Sequence, residues 1–167
     1  GYYYGFSNRA LWPLCHAVYV RPVFEGPDWR AYKKVNELFA KAILCVAPGD
    51  TPCGRCAACR KVEAGAHPDR IELSPDGQSI KVDQVEALQG RLVFRPIEGP
   101  RRIILIEPAD RLTLAAADRL LKTLEEPPTA CTFILITAQP DLLPSTVRSR
   151  CRLVTFSPLP RRLVEQV

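Results

Sequence analysis

The chain has 167 residues, 47% hydrophobic and 25% charged, which suffices for one core, is marginal for two, and excludes a disordered chain. Its net charge of +5 permits contact with nucleic acid or another acidic surface without demanding it; a solvated surface with surplus arginine reads equally well. No apolar run approaches the ~20 residues of a membrane span. The opening stretch, GYYYGFSNRALWPL, lacks a basic leader followed by a long apolar segment. A soluble, cytoplasmic protein without membrane contact is the default expectation. Methionine is absent, position 1 included, so the chain reads as a fragment or a processed form.

Residues 1–30 carry three consecutive tyrosines and several prolines but no sustained period; Ala17 to Val20 fits a short strand. From Ala31 the spacing of Val35, Leu38, Phe39, Ala42 and Ile43 predicts a helix ending near Cys45. Glu37 and Lys41 stand four apart in the favourable order for a surface pair. A cysteine-rich loop to about Arg60 follows. Ile71 to Leu73 reads as a strand closed by the turn Ser74-Pro75-Asp76-Gly77. Asp83 is set to cap a helix, with Glu86 completing a capping box and Val85, Leu88 and Leu92 on its inner face. Gly99-Pro100 breaks the chain. Ile103 to Ile106 is apolar throughout, as a strand covered on both faces must be. Thr113 can cap a helix that runs to about Glu126 and is stopped by Pro127-Pro128. Thr132 to Thr137 reads as a second wholly apolar strand, Pro144 to Ser149 as a short helix, and Arg152 to Phe156 as a last strand. Strands alternating with helices, two of them without a polar side, predict an α/β fold with a parallel sheet sandwiched between helices. Ser157-Pro158-Leu159-Pro160 looks like a domain edge.

Seven cysteines are present, an odd number that argues against a fully paired disulfide framework. Cys45, Cys53, Cys56 and Cys59 follow a C-x7-C-x2-C-x2-C spacing, which lets neighbouring sulfurs converge on one ion. Four thiolates match tetrahedral zinc and leave no open position, so the expectation is structural zinc. Pro52 and Gly54 supply the turns, and the surroundings read as too polar to bury sulfur by packing alone. A redox CxxC pair, a zinc site touching DNA and a set of free cysteines are the alternatives. His67 reads as a turn residue, and Cys15, Cys131 and Cys151 as packed or free thiols.

Five segments together resemble the bacterial clamp-loader AAA+ subunits of DNA polymerase III. They are Pro52-Cys53-Gly54-Arg55-Cys56 through Cys59-Arg60; His67-Pro68-Asp69; Ser79-Ile80-Lys81-Val82-Asp83-Gln84-Val85; Leu120-Leu121-Lys122-Thr123-Leu124-Glu125-Glu126-Pro127-Pro128; and Ser149-Arg150-Cys151. The resemblance covers about 40–160, and within the family it is nearer to the delta prime branch than to the ATP-hydrolysing gamma/tau branch. It implies a RecA-like AAA+ domain over 1–158, with an atypical 1–34 and a zinc-binding insertion at 45–60. Residues 159–167 would begin a truncated lid domain.

The strand that should end in the magnesium-binding acid pair reads Leu105-Ile106-Glu107-Pro108-Ala109-Asp110. Glu107 stands at the aspartate position and Pro108 at the glutamate position, and proline can neither hold magnesium nor polarise water. Asp110 reads as a surface or helix-entry residue. No G-x-x-x-x-G-K-[ST] loop occurs; Gly26-Pro27 and Lys33 or Lys34 lie near its place, but Trp29 to Tyr32 fill the glycine-rich turn. The expectation is therefore no intrinsic ATPase, with ATP and Mg2+ not bound by this chain. Thr137 occupies the position of the family's nucleotide sensor, in degenerate form, or is a simple strand-end threonine.

Arg150 in Ser149-Arg150-Cys151 stands at the family's arginine finger, given in trans to ATP held by a neighbour; alone it would read as a surface arginine. Ser149 and Cys151 would set its turn, with Arg148 as an auxiliary positive group. Lys122, Glu125 and Glu126 fit either a subunit contact or a solvated helix end. The implied partners are the gamma/tau and delta subunits, the sliding clamp and, through the assembly, primed DNA. Two alternatives stand beside this: an ATP-hydrolysing gamma/tau-type subunit, and a zinc-dependent nucleic-acid-binding module.

Overall fold

The computed structural model describes residues 17–22, 29–47 and 52–156. Ten elements follow in chain order: β1 (Ala17–Pro22), α1 (Trp29–Leu44), α2 (Ala57–Glu63), β2 (Arg70–Leu73), α3 (Val82–Leu92), β3 (Arg102–Ile106), α4 (Leu114–Glu125), β4 (Cys131–Ile136), α5 (Ser145–Arg148) and β5 (Arg152–Phe156). The strands form one sheet in the order β2-β3-β4-β1-β5, and every neighbouring pair is parallel.

β3 and β4 are buried along their whole length, which is why both read as continuous apolar runs. Their side chains alternate between two cores. Ile104, Ile106, Phe133 and Leu135 face Val85, Leu88 and Leu92 of α3, Leu120 and Leu124 of α4, and Val147 of α5. Ile103, Leu105, Ile134 and Ile136 face Phe39, Ala40 and Leu44 of α1 and Val62 of α2. The predicted helix–sheet–helix sandwich is thus present, each fully buried Leu, Ile or Phe contributing about 1.5–3 kcal/mol. Parallel register gives the sheet two unlike edges. One gathers the strand starts with the ends of α1 and α4; the other gathers the strand ends.

Several local expectations change. α1 begins at Trp29 rather than Ala31, so Trp29 to Tyr32 form its first turn. Lys41 pairs with Glu63 at 3.0 Å and not with Glu37, because α2 packs beside α1 and offers a nearer carboxylate. The cysteine loop does not run to Arg60: α2 starts inside it. α3 is not capped by Asp83. The extended residue is Lys81, whose N–H donates to Gln84 Oε1 at 3.1 Å; Asp83 falls in the first turn, where its charge suits the helix dipole, and Glu86 lies 3.4 Å from Arg119 on α4. Thr113 does cap α4, accepting the Ala116 N–H at 3.2 Å. β4 starts and ends one residue earlier than predicted. Cys15, Gly26-Pro27 and the domain edge at 157–160 lie outside the described residues.

Candidate functional site

The tetrad is built where α1 ends and α2 begins. Cys45 follows the last residue of α1, and Cys56 is the N-cap of α2, its sulfur accepting the Cys59 N–H at 3.4 Å. Gly54, at φ 69°, makes the turn between Cys53 and Cys56. Two further N–H groups are aimed at sulfur, Cys53 N to Cys45 Sγ and Cys56 N to Cys53 Sγ, each at 3.4 Å. All four Sγ atoms lie within 4.8 Å of one another, with Cys45 to Cys53 at 3.7 Å and Cys45 to Cys56 at 3.9 Å. A tetrahedral centre with metal–sulfur bonds of about 2.3 Å separates its sulfurs by about 3.8 Å. The cluster therefore fits one metal ion.

Its surroundings are less polar than expected, because Cys45 and Cys59 are buried. The Cys59 N–H, foremost among several donors, draws the Cys56 thiol down to about 6. The Arg55 and Cys56 N–H groups lower Cys53, while burial pushes Cys59 up to about 12. Backbone dipoles thus favour thiolate at the half-buried pair Cys53 and Cys56, the form a metal takes. Outside the tetrad, Cys131 is buried in the core and Cys151 is half-buried.

A second polar cluster sits at the same edge. His67 is buried, and its Nδ1 accepts the Asp69 N–H at 3.1 Å, which makes it the turn residue predicted. Asp69 is fully buried and accepts the N–H groups of Ile97, Glu98 and Gly99, each at 2.7 Å. Burial pushes its carboxyl up, but these three donors and the nearby His67 outweigh it and hold the group below the ordinary carboxylate range. Arg102 Nε stands 3.8 Å from Asp69, and Arg102 Nη2 donates to the Arg95 carbonyl at 2.9 Å. Asp69 thereby fixes the α3–β3 loop against the cysteine side of the fold. Its weight was missed in the sequence: the partners are backbone groups 28 to 30 residues away, which no side-chain pattern announces.

The opposite edge holds the other predicted residues. Glu107 follows β3, its N–H donating to the Leu73 carbonyl at 3.1 Å, and Pro108 leads into a 3-10 turn over Ala109–Arg111. Asp110 is in that turn, in keeping with the helix-entry alternative, but it does not point freely into solvent. Its side chain is 10% exposed, and its carboxylate accepts the Thr137 hydroxyl at 2.6 Å. Thr137, fully buried at the end of β4, also accepts the Gln139 N–H at 3.0 Å. Glu107 and Thr137 therefore come to one edge, and the Thr137 hydroxyl is engaged there by its own chain.

Arg150 lies elsewhere. It precedes β5, whose Arg152 is level with Val18 of β1, itself level with Ile134 of β4. Thr137 is three residues beyond Ile134. That places the start of β5 roughly 10 Å back along the strands and roughly 10 Å across two strand spacings. Arg150 Nε donates to Glu125 Oε1 at 2.5 Å, Nη2 contacts the same oxygen, and Nη1 donates to the Thr146 carbonyl at 2.9 Å. Arg148 reaches Asp141 at 3.3 Å. Glu126 caps α4, its N–H donating to the Lys122 carbonyl at 2.9 Å.

The family model described as "DNA polymerase III, delta subunit" matches residues 16–160. The chain belongs to that family. All five segments that carried the sequence resemblance fall inside the match. This member of the DNA polymerase III delta subunit family is 38% identical over 143 residues to DNA polymerase III subunit delta' of Bacillus subtilis, covering 86% of this chain and 44% of the relative. It is 39% identical over 126 residues to the Escherichia coli subunit delta', covering 74% and 38%. It is 36% identical over 135 residues to the Bacillus subtilis subunit tau, covering 80% and 24%. The chain thus spans less than half the length of these relatives. The crystal structure of a DNA polymerase III gamma subunit-related protein from Thermotoga maritima shares the fold, with a TM-score of 0.63 at 19% identity over 90% of this chain and 44% of that one. Among the described residues no helix is long and apolar enough to cross a membrane.

Proposed function

We propose that this chain is the AAA+ domain of a delta prime-type clamp-loader subunit that does not split ATP itself and gives Arg150 to ATP held by a neighbouring gamma/tau subunit. The observation that carries this is the separation of Arg150 from its own sheet's ligand edge. In parallel α/β sheets ligands bind beyond the strand ends, where Glu107 and Thr137 stand; Arg150 is at the other edge, which supports a role toward a phosphate held outside this chain. A guanidinium at that border stabilises charge growing on a transferred phosphoryl group, worth about 10³–10⁵ in rate. The chain's own strand-end chemistry supports the same reading. Pro108 supplies no carboxylate, and Thr137 spends its hydroxyl proton on Asp110.

In this reading the tetrad of Cys45, Cys53, Cys56 and Cys59 holds structural zinc, which cross-links the end of α1 to the start of α2 and, with all four positions filled by sulfur, activates no water. With gamma/tau and delta subunits the assembly opens a sliding clamp and places it on primed DNA. The DNA contacts are mainly to phosphates and weaken with salt.

Two measurements test this. The isolated chain titrated with MgATP is expected to show no saturable binding; micromolar saturation would instead favour a gamma/tau-type ATPase. In a reconstituted loader, Arg150→Ala is expected to leave assembly intact and lower clamp- and DNA-stimulated ATP turnover at least about 10³-fold at the site it serves. Unchanged turnover in the assembled variant refutes the role in trans.

A further inference from the structure

We infer that Glu125 is the positioning residue for Arg150, setting the guanidinium's direction before the neighbour's phosphate arrives. The inference rests on the reading of Arg150 as a cation given in trans, and it adds a residue on a different element to that site.

Both partners stand on fixed supports. Glu125 is the last residue of α4; the helix stops there because Pro127-Pro128 follow, and it is anchored by buried Leu124 immediately before it and by fully buried Leu120. Arg150 sits in the turn after α5, its N–H donating to the Val147 carbonyl at 3.1 Å, and Val147 is itself fully buried. The carboxylate and the guanidinium are thus brought together across 25 residues by two rigid elements.

The way the donors are spent decides what the contact can do. Glu125 Oε1 receives Nε and Nη2, and the Thr146 carbonyl receives Nη1 at 2.9 Å. Ser149 Oγ lies 3.5 Å from Nη1, at the limit of a hydrogen bond. Three of the five N–H groups of an arginine are therefore committed to orientation, and the remainder can meet phosphate oxygen. A long exposed arginine otherwise wanders among many rotamers; Glu125 and the Thr146 carbonyl remove that freedom in advance.

The same contact is too weak to be a latch. The side chains of Arg150 and Glu125 are 33% and 48% exposed, and exposed pairs are largely screened by water. A carboxylate in that setting cannot retain a guanidinium against a multiply charged phosphate coordinated by magnesium. It aims the group without withholding it, and misplacement of a catalytic group by about 1 Å costs on the order of 10²-fold.

The test uses the reconstituted full-length loader with sliding clamp and primed DNA, with assembly followed by gel filtration and ATP turnover measured over a range of ATP concentrations. Glu125→Ala is expected to assemble normally and to lower kcat about tenfold while KM for ATP stays within about twofold. Glu125→Gln keeps the reach and one acceptor oxygen and is expected to recover part of the loss. Arg150→Ala combined with Glu125→Ala should be no slower than Arg150→Ala alone, since a guide has nothing to aim once the guanidinium is gone.

Turnover equal to or faster than the unaltered loader in Glu125→Ala, with Arg150→Ala still slow, overturns the positioning role and leaves the role of Arg150 standing. A double variant slower than Arg150→Ala, or failed assembly of Glu125→Ala, assigns Glu125 to another contact and also overturns it. If Arg150→Ala itself turns over ATP normally, both readings fall together.

Discussion

The two edges of the sheet handle polar groups in opposite ways. Where the strands end, the groups are settled in pairs: Thr137 donates to Asp110 and receives Gln139. Where the strands begin, polar chemistry is gathered from distant stretches of chain into centres. Four cysteines spread over fifteen residues place their sulfurs within 4.8 Å, and one carboxylate collects three successive N–H groups of a loop. The edge where α/β sheets ordinarily take a ligand is, among the described residues, closed upon itself. The other edge carries the tetrad, the Asp69 cluster and Arg150.

Three perturbations break or sharpen this contrast, from the largest effect to the smallest. A strong chelator, or Cys59→Ser, should lower the melting temperature by at least about 10 °C, because metal binding free energy becomes folding free energy. Differential scanning fluorimetry with and without added zinc, alongside the metal content of the purified chain, checks it; an unmoved transition in a chain shown to carry metal would remove the tetrad as a centre of stability.

Asp69→Asn should cost about 3 kcal/mol in urea unfolding, since an amide cannot receive all three donors and leaves Arg102 without its buried counter-charge. The pH dependence follows from the lowered Asp69 pKa. The folded group ionises below the ordinary unfolded value of about 4, so its stabilisation is complete above that value and drains away as pH falls through the folded one. The variant should show a shallower acid limb between about pH 5 and 2; an identical limb would show that Asp69 adds nothing to it.

Thr137→Val should cost about 1–2 kcal/mol, because it removes the hydroxyl that Asp110 accepts and the acceptor of the Gln139 N–H at a buried position. Stability equal to that of the unaltered chain would mean that the strand-end edge is not settled by this pair.

The core was the most legible part of the fold, and the reason is physical. β3 and β4 are covered on both faces, so burial wrote itself directly into Ile103 to Ile106 and Phe133 to Ile136. The tetrad was legible because ligand spacing is local. What stayed hidden was set by backbone or by distance. Lys81 caps α3 through its extended backbone, not its side-chain type. α2 was masked because Cys56 serves at once as turn residue and helix cap. Asp110 read as a surface or helix-entry residue, and its bond to Thr137 at the end of β4 was not visible; nor does anything in the spacing of Glu125 and Arg150 announce their contact. The candidate site was therefore readable residue by residue, but not in its connections.

Gly99 has one more consequence. A methyl group on its Cα would lie 2.6 Å from Leu44 Cδ2, and Leu44 is fully buried. Leu44 immediately precedes Cys45. A side chain added more than fifty positions downstream would thus require Leu44, the residue before the first cysteine of the tetrad, to shift, which ties the composition of the α3–β3 loop to the packing at the end of α1.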